Sequence, residues 1–159
     1  MRIFYFDSIT TIILCFVLWP LLQLGAMEIT YRLPRSYYSV DNWIFKPRSF
    51  ERQGRFYESV FKVKSWKHLL PDGARYFKRG YKKKELSDFT TGNLEIFVME
   101  TCRAELTHIL GALPFFLFGL FIEPVGVFLM FIYAISVNLP CLIVQRYNRL
   151  RLLRVLSRR

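Results

Sequence analysis

The sequence predicts an all-α integral membrane protein with about three transmembrane helices, over residues 8–27, 106–122 and 124–144. Three observations predict it. Two long stretches are almost free of charge. The formal net charge of +11 is concentrated outside them. The chain is 53% hydrophobic, with 16 Phe in 159 residues, which is too apolar for disorder. Three Cys is an odd count, and no pair shows a framework spacing, so a disulfide-stapled secreted scaffold does not fit.

Residues 8–27 carry no formal charge and lie between Asp7 and Glu28. Twenty helical residues extend about 30 Å, the thickness of the hydrocarbon core. Pro20 is compatible with a span, since transmembrane helices tolerate proline. The rival is a cleaved signal peptide, but Arg2 is its only basic residue and Leu24-Gly25-Ala26 is a poor cleavage site. A retained helix is the preferred reading.

In residues 106–144 the only formal charge is Glu123, followed by Pro124. Thirty-nine residues are too many for one span and suit two. Glu123-Pro124 marks the turn, because proline disfavours helix in the residue before it and suits a helix start. The alternative, a buried hairpin in a soluble core, fits the Phe-rich text less well.

Residues 28–105 form a basic, aromatic loop region with sixteen Lys or Arg against ten Asp or Glu. Residues 145–159 carry six Arg and no acid. The positive-inside rule puts that short tail in the cytoplasm, and a two-span hairpin returns the loop to the same side. The amino terminus and the Glu123 turn then lie on the outer side of the membrane. Tyr147, Leu150, Leu153 and Leu156 form a stripe among arginines, as in an amphipathic helix lying on anionic headgroups. Continuity with a span favours lipid over nucleic acid as the partner. In the loop, Trp43, Phe45, Phe50, Phe56, Tyr57, Phe61 and Trp66 alternate with cations. That pattern suits the bilayer interface, the core of a small cap, or both. Leu70-Pro71-Asp72-Gly73 signals a turn, the basic run at 75–84 a solvated face, and Thr91 a cap for a helix leading into the second span.

Only two histidines exist, His68 and His108. Histidine titrates near neutral pH and is the default general base. Glu105 and His108 share a helix face at the membrane entry, where a carboxylate can orient an imidazole. A structural polar pair closing the helix end is the equal alternative. His68, four residues before Asp72, is a second base–acid pair; by spacing alone an exposed loop histidine explains it better. Asn138 inside the last span is interhelical glue or a ligand contact. Gln145, Arg146, Tyr147, Asn148 and Arg149 form a polar rim that anchors lipid or binds a phosphate-bearing donor. Cys102 is a minor nucleophile candidate. No phosphate loop, GxSxG elbow or convincing metal set is present, and no metal or cofactor is expected.

Several words then occur in order: Ile44-Phe45-Lys46, Gly54-Arg55-Phe56, Trp66-Lys67-His68, Asp72-Gly73, Glu100-Thr101, Arg103-Ala104-Glu105-Leu106 and His108. Asn138, Pro140 and Val144-Gln145-Arg146-Tyr147-Asn148-Arg149 follow. Over about 44–73 and 99–159 the chain resembles the glycosyl-4,4'-diaponeurosporenoate acyltransferase family of carotenoid biosynthesis. The resemblance implies esterification of a sugar hydroxyl on a membrane-dissolved glycosylated carotenoid, or a related glycolipid, by a fatty acyl group. The donor would be an acyl thioester, acyl-CoA or acyl-carrier protein, as co-substrate. Both histidines lie in matching words. His108 oriented by Glu105 is the expected base and His68 with Asp72 the substitute. Trp66, Lys67, Arg103, Asn138, Gln145, Arg146, Tyr147, Asn148 and Arg149 are expected to bind substrate or stabilise the oxyanion. Another lipid-modifying transferase and a non-catalytic membrane adaptor are the alternatives.

Overall fold

The computed structural model describes residues 2–70 and 90–158. The expected turn at Pro71-Asp72-Gly73, Asp72 as partner of His68, and the basic run at 75–84 lie outside the described residues. Five α-helices are described: α1 (Ser8–Arg32), α2 (Arg55–Ser59), α3 (Val63–Trp66), α4 (Thr91–Ala112) and α5 (Pro124–Leu156). No strand occurs among the described residues. The chain divides into two compact units. The first is Met1–Leu33 with Leu106–Leu142, and the second is Pro34–Glu105 with Ile143–Arg159.

In the first unit, Asp7 caps α1. Its Oδ1 accepts from the amides of Ile9 at 3.0 Å and Thr10 at 3.1 Å, satisfying donors that a helix start leaves open. The helix passes through Leu24-Gly25-Ala26 and runs five residues beyond the expected 8–27. Glu28 accepts from Arg32 one turn on at 2.8 Å. Extended backbone at Leu33, the residue before Pro34, then ends it. Trp19, Phe118, Phe121 and Ala134 form the buried centre of this unit. The chain's start is pinned at the hairpin turn: the amides of Ile3 and Phe4 donate to the Leu120 carbonyl at 2.8 and 2.9 Å, and Arg2 pairs with Glu123 at 2.8 Å.

The expected span at 106–122 is not one α-helix. α4 starts at Thr91 itself, so Thr91 is its first residue and not its cap, and the helix ends at Ala112. A 3₁₀-helix takes over at Leu113–Leu120. Pro114 supplies the reason: it has no N–H for the Leu110 carbonyl and disfavours helix at Leu113. The Glu123-Pro124 turn is present, with α5 starting at Pro124 and the Glu123 carbonyl accepting from the Val127 amide at 3.0 Å. α1 and α5 are long and apolar enough to cross a membrane. Ile9, Ile12, Phe16 and Leu21 on α1, and Val125, Phe128, Leu129 and Ile132 on α5, are exposed.

In the second unit, the loop region folds as a cap with its own core. Tyr57, Val63, Ile143, Val144, Tyr147 and Leu150 are buried together, with Phe56 and Trp66 against them. Trp43 and Phe50 stay exposed, so the loop's aromatics divide between core and surface. α5 continues to Leu156 without a break at residue 145. The expected headgroup stripe is therefore corrected in part, because Tyr147 and Leu150 pack into protein. At Ser49–Gly54 the backbone turns through three left-handed residues, Arg52, Gln53 and Gly54 (φ 47°, 57° and 96°). This turn delivers Glu51 into the interior.

Candidate functional site

The second unit buries a network of carboxylates and guanidiniums. Glu51, supplied by the left-handed turn, is 0% exposed. Its Oε1 accepts from Tyr57 Oη at 2.6 Å and from Arg146 Nε at 2.5 Å. Its Oε2 accepts from the Arg48 amide at 2.5 Å and from Arg146 Nη2 at 3.3 Å. Burial raises the Glu51 carboxyl, but the bonds from Arg146, Tyr57 and the Arg48 amide outweigh it and hold it below the ordinary range. Burial, and then the bond to Glu51, push the Tyr57 phenol up.

Arg146 uses all five of its N–H donors. Beyond its fork on Glu51, Nη1 donates to Glu105 Oε1 at 2.9 Å and to the Ile44 carbonyl at 3.0 Å. Nη2 also donates to the Lys46 carbonyl at 2.9 Å. Glu105 Oε2 lies against Arg149 Nη2. Arg149 is 1% exposed, donates from Nη1 to Cys102 Sγ at 3.6 Å, and stacks over the Phe45 ring. Arg103 pairs with Glu100. These placements correct three expectations. Arg146 has no donor left for a phosphate or an oxyanion. Arg149 is enclosed and so is no lipid anchor. Tyr147 is 0% exposed, and its hydroxyl donates to Glu58 at 2.8 Å. Cys102 is buried, and burial raises its thiol, so the thiolate is disfavoured. Sequence reasoning missed Glu51 entirely.

Lys67 is half-buried in this unit. Its Nζ sits 5.1 Å from the Tyr147 ring centre. Burial, then the positive charges of Arg151 and Lys64, hold its ammonium below the ordinary lysine range. Trp66 is half-buried and donates to the Phe61 carbonyl at 2.7 Å. His68 is exposed, in a short 3₁₀ turn over Lys67–Leu69. Gln145 and Asn148 are half-buried on α5.

In the first unit, His108 on α4 is half-buried. Its Nδ1 lies 3.1 Å from Asn138 Oδ1, and Asn138 Nδ2 donates to the Ala134 carbonyl at 2.9 Å. Asn138 is 1% exposed. Polar links between helices accompany this pair: Thr30 and Thr107 share a hydrogen bond at 2.8 Å, and Gln23 donates to the Gly111 carbonyl at 3.0 Å. An imidazole oriented by a neighbouring amide in an apolar setting is chemically suited to moving a proton. Glu105 faces two arginines, and His108 faces Asn138.

The family model for glycosyl-4,4'-diaponeurosporenoate acyltransferase matches residues 41–158. The chain is similar to proteins of that name from Staphylococcus aureus. It is 37% identical to the strain USA300 protein over 157 residues, covering 95% of this chain and 93% of the relative. The strain bovine RF122 / ET3-1 protein is 36% identical over 157 residues, with the same coverage of each chain. No solved structure matches.

Proposed function

Because the chain belongs to the glycosyl-4,4'-diaponeurosporenoate acyltransferase family, and is therefore an acyltransferase, we propose that it esterifies a sugar hydroxyl of a membrane-dissolved glycosylated carotenoid acid with a fatty acyl group. The observation that carries the reaction chemistry is His108, an imidazole held by Asn138 within the apolar unit. His108 takes the proton from the sugar hydroxyl as its oxygen attacks the carbonyl carbon of an acyl thioester. The tetrahedral adduct collapses, the C–S bond breaks, and the departing thiolate receives the proton from the imidazolium. Positioned base catalysis contributes about 10²–10⁴-fold, and alignment of the two substrates supplies much of the remainder.

The donor's charged carrier, acyl-CoA or acyl-carrier protein, is assigned to Lys67 with Arg151, since Lys64 already pairs with Glu58 at 2.9 Å. This replaces Arg146 and Arg103, whose guanidiniums already face carboxylates. Gln145 and Asn148 have amide groups suited to sugar or carrier contacts. Glu105 is read as part of the network that builds the second unit. His68 remains the substitute base.

The proposed setting is a bacterial cell membrane, crossed by α1, by residues 106–122 and by 124–144, with the amino terminus outside and the carboxyl terminus cytoplasmic. Support comes from the exposed apolar faces of α1 and α5. The contact of the chain's start with the Glu123 turn also agrees, since this topology needs both on one side. By rise per residue, 106–120 reaches at most about 27 Å, close to the hydrocarbon thickness. Anionic lipids are the proposed partners of the arginine-rich tail.

The test is a comparison of pigment and lipid extracts from cells that make the glycosylated carotenoid acid, with and without this chain. A new species heavier by one acyl group, lost on mild alkaline ester cleavage, is expected. Identical carotenoids with and without the chain would remove this acceptor, and a newly acylated glycolipid in the same extracts would name another.

A further inference from the structure

We infer that Asn138 is a positioning residue that fixes the tautomer of His108, holding the proton on Nδ1 and the basic lone pair on Nε2. This rests on the reading of His108 as the base and adds what makes that imidazole serviceable.

The Asn138 amide is constrained first by its own helix. Asn138 is almost fully buried on α5, and its Nδ2 donates to the carbonyl of Ala134 one turn earlier, at 2.9 Å. That bond fixes which end of the amide is which. A carbonyl oxygen only accepts, so Nδ2 must be the atom facing Ala134, and Oδ1 must be the atom facing His108. Oδ1 is itself only an acceptor. The ring nitrogen 3.1 Å away must then carry a hydrogen, and that nitrogen is Nδ1. In the neutral ring only one nitrogen is protonated, so the lone pair that can take a proton is on Nε2. An imidazole in water favours the opposite tautomer, so the preference must come from the protein. The chain of bonds from the Ala134 carbonyl through the Asn138 amide to His108 Nδ1 supplies it. An asparagine used only to tie helices together would need one such bond. Here each end of the amide is committed, in the order that sets the ring.

The orienting group is neutral. Asn138 directs the ring without adding a charge to an apolar segment, where a carboxylate would be costly. That distinguishes it from Glu105, the orienter expected from sequence spacing, whose oxygens face Arg146 and Arg149.

The test is nitrogen NMR of the full chain in detergent micelles, labelled with ¹⁵N-histidine. A His68→Gln background leaves His108 as the one imidazole. Above the pH at which the ring is neutral, the expected spectrum has a protonated Nδ1 and an unprotonated Nε2. Asn138→Leu is expected to move the ring toward the Nε2–H tautomer. A protonated Nε2 in the otherwise native chain overturns the inference, even if Asn138→Leu cannot be folded. In acyl transfer, with His68 restored, Asn138→Leu should lower kcat by at least about tenfold with KM within about twofold, the pattern of a misdirected base. Asn138→Asp, which keeps an acceptor oxygen in place, should recover part of that loss. Unchanged kcat in Asn138→Leu also overturns the inference. The two readings fail separately: full activity in His108→Gln removes the base, whereas a wrong tautomer removes only the role of Asn138.

Discussion

Glu51 and Arg146 are separated by 95 positions in the chain and meet through a two-pronged fork, at 2.5 Å and 3.3 Å. A buried ion pair contributes little net stability against an apolar replacement, yet removing one partner strands the other. Glu51→Gln should therefore cost about 3–5 kcal/mol, read by chemical denaturation in detergent. The pair also gives stability a pH dependence of fixed sign. A carboxyl held below its ordinary range binds its proton later in the native state than in the unfolded chain. Its contribution is full above the ordinary carboxylate range and is lost as pH falls through the native value. The melting temperature should drop as pH falls from about 5 to about 2, and drop less in Glu51→Gln. None of this was legible locally. Arg146 in the sequence stands in a basic tail beside an apolar stretch, and nothing nearby announces a carboxylate 95 residues upstream. The left-handed turn that delivers Glu51 uses Arg52 and Gln53 at positive φ, residue types that give no turn signal.

At the scale of elements, α5 shows both the reach and the limit of pattern reading. Its start at Pro124 and the helical spacing of Tyr147, Leu150, Leu153 and Leu156 were readable, because proline position and periodicity are local properties. What the stripe packs against was not, because a lipid headgroup and a protein cap both select the same apolar face. Leu150 is 5% exposed within the second unit's core. Leu150→Ala should destabilise the fold by about 2–5 kcal/mol, measured by urea titration in detergent. A stripe lying on headgroups would show almost no change. The other departure, the 3₁₀ segment at Leu113–Leu120, follows from Pro114. Its apolar text reads as a span whether the backbone is α or 3₁₀, so hydropathy alone could not separate them.

For the whole molecule, the helical class and two of the three expected apolar segments were legible from charge-free length, and the family from a set of ordered words. The polar residues of the candidate site were legible as residue types, and many of the partners they face were not. His108 stands as expected on the helix leading into the apolar hairpin. One partner is Asn138, 30 positions away on another helix. Spacing along one helix offers i, i+3 partners and is silent about partners from elsewhere. The proposed proton acceptor for the sugar hydroxyl is the His108 imidazole, with His68 as the substitute. The direct measurement is transfer of a radiolabelled acyl chain from an acyl thioester to the purified glycosylated carotenoid acid, comparing the native chain with His108→Gln at equal amounts of folded protein. A fall of at least about a hundredfold is predicted. Transfer by His108→Gln at close to the native rate would contradict it.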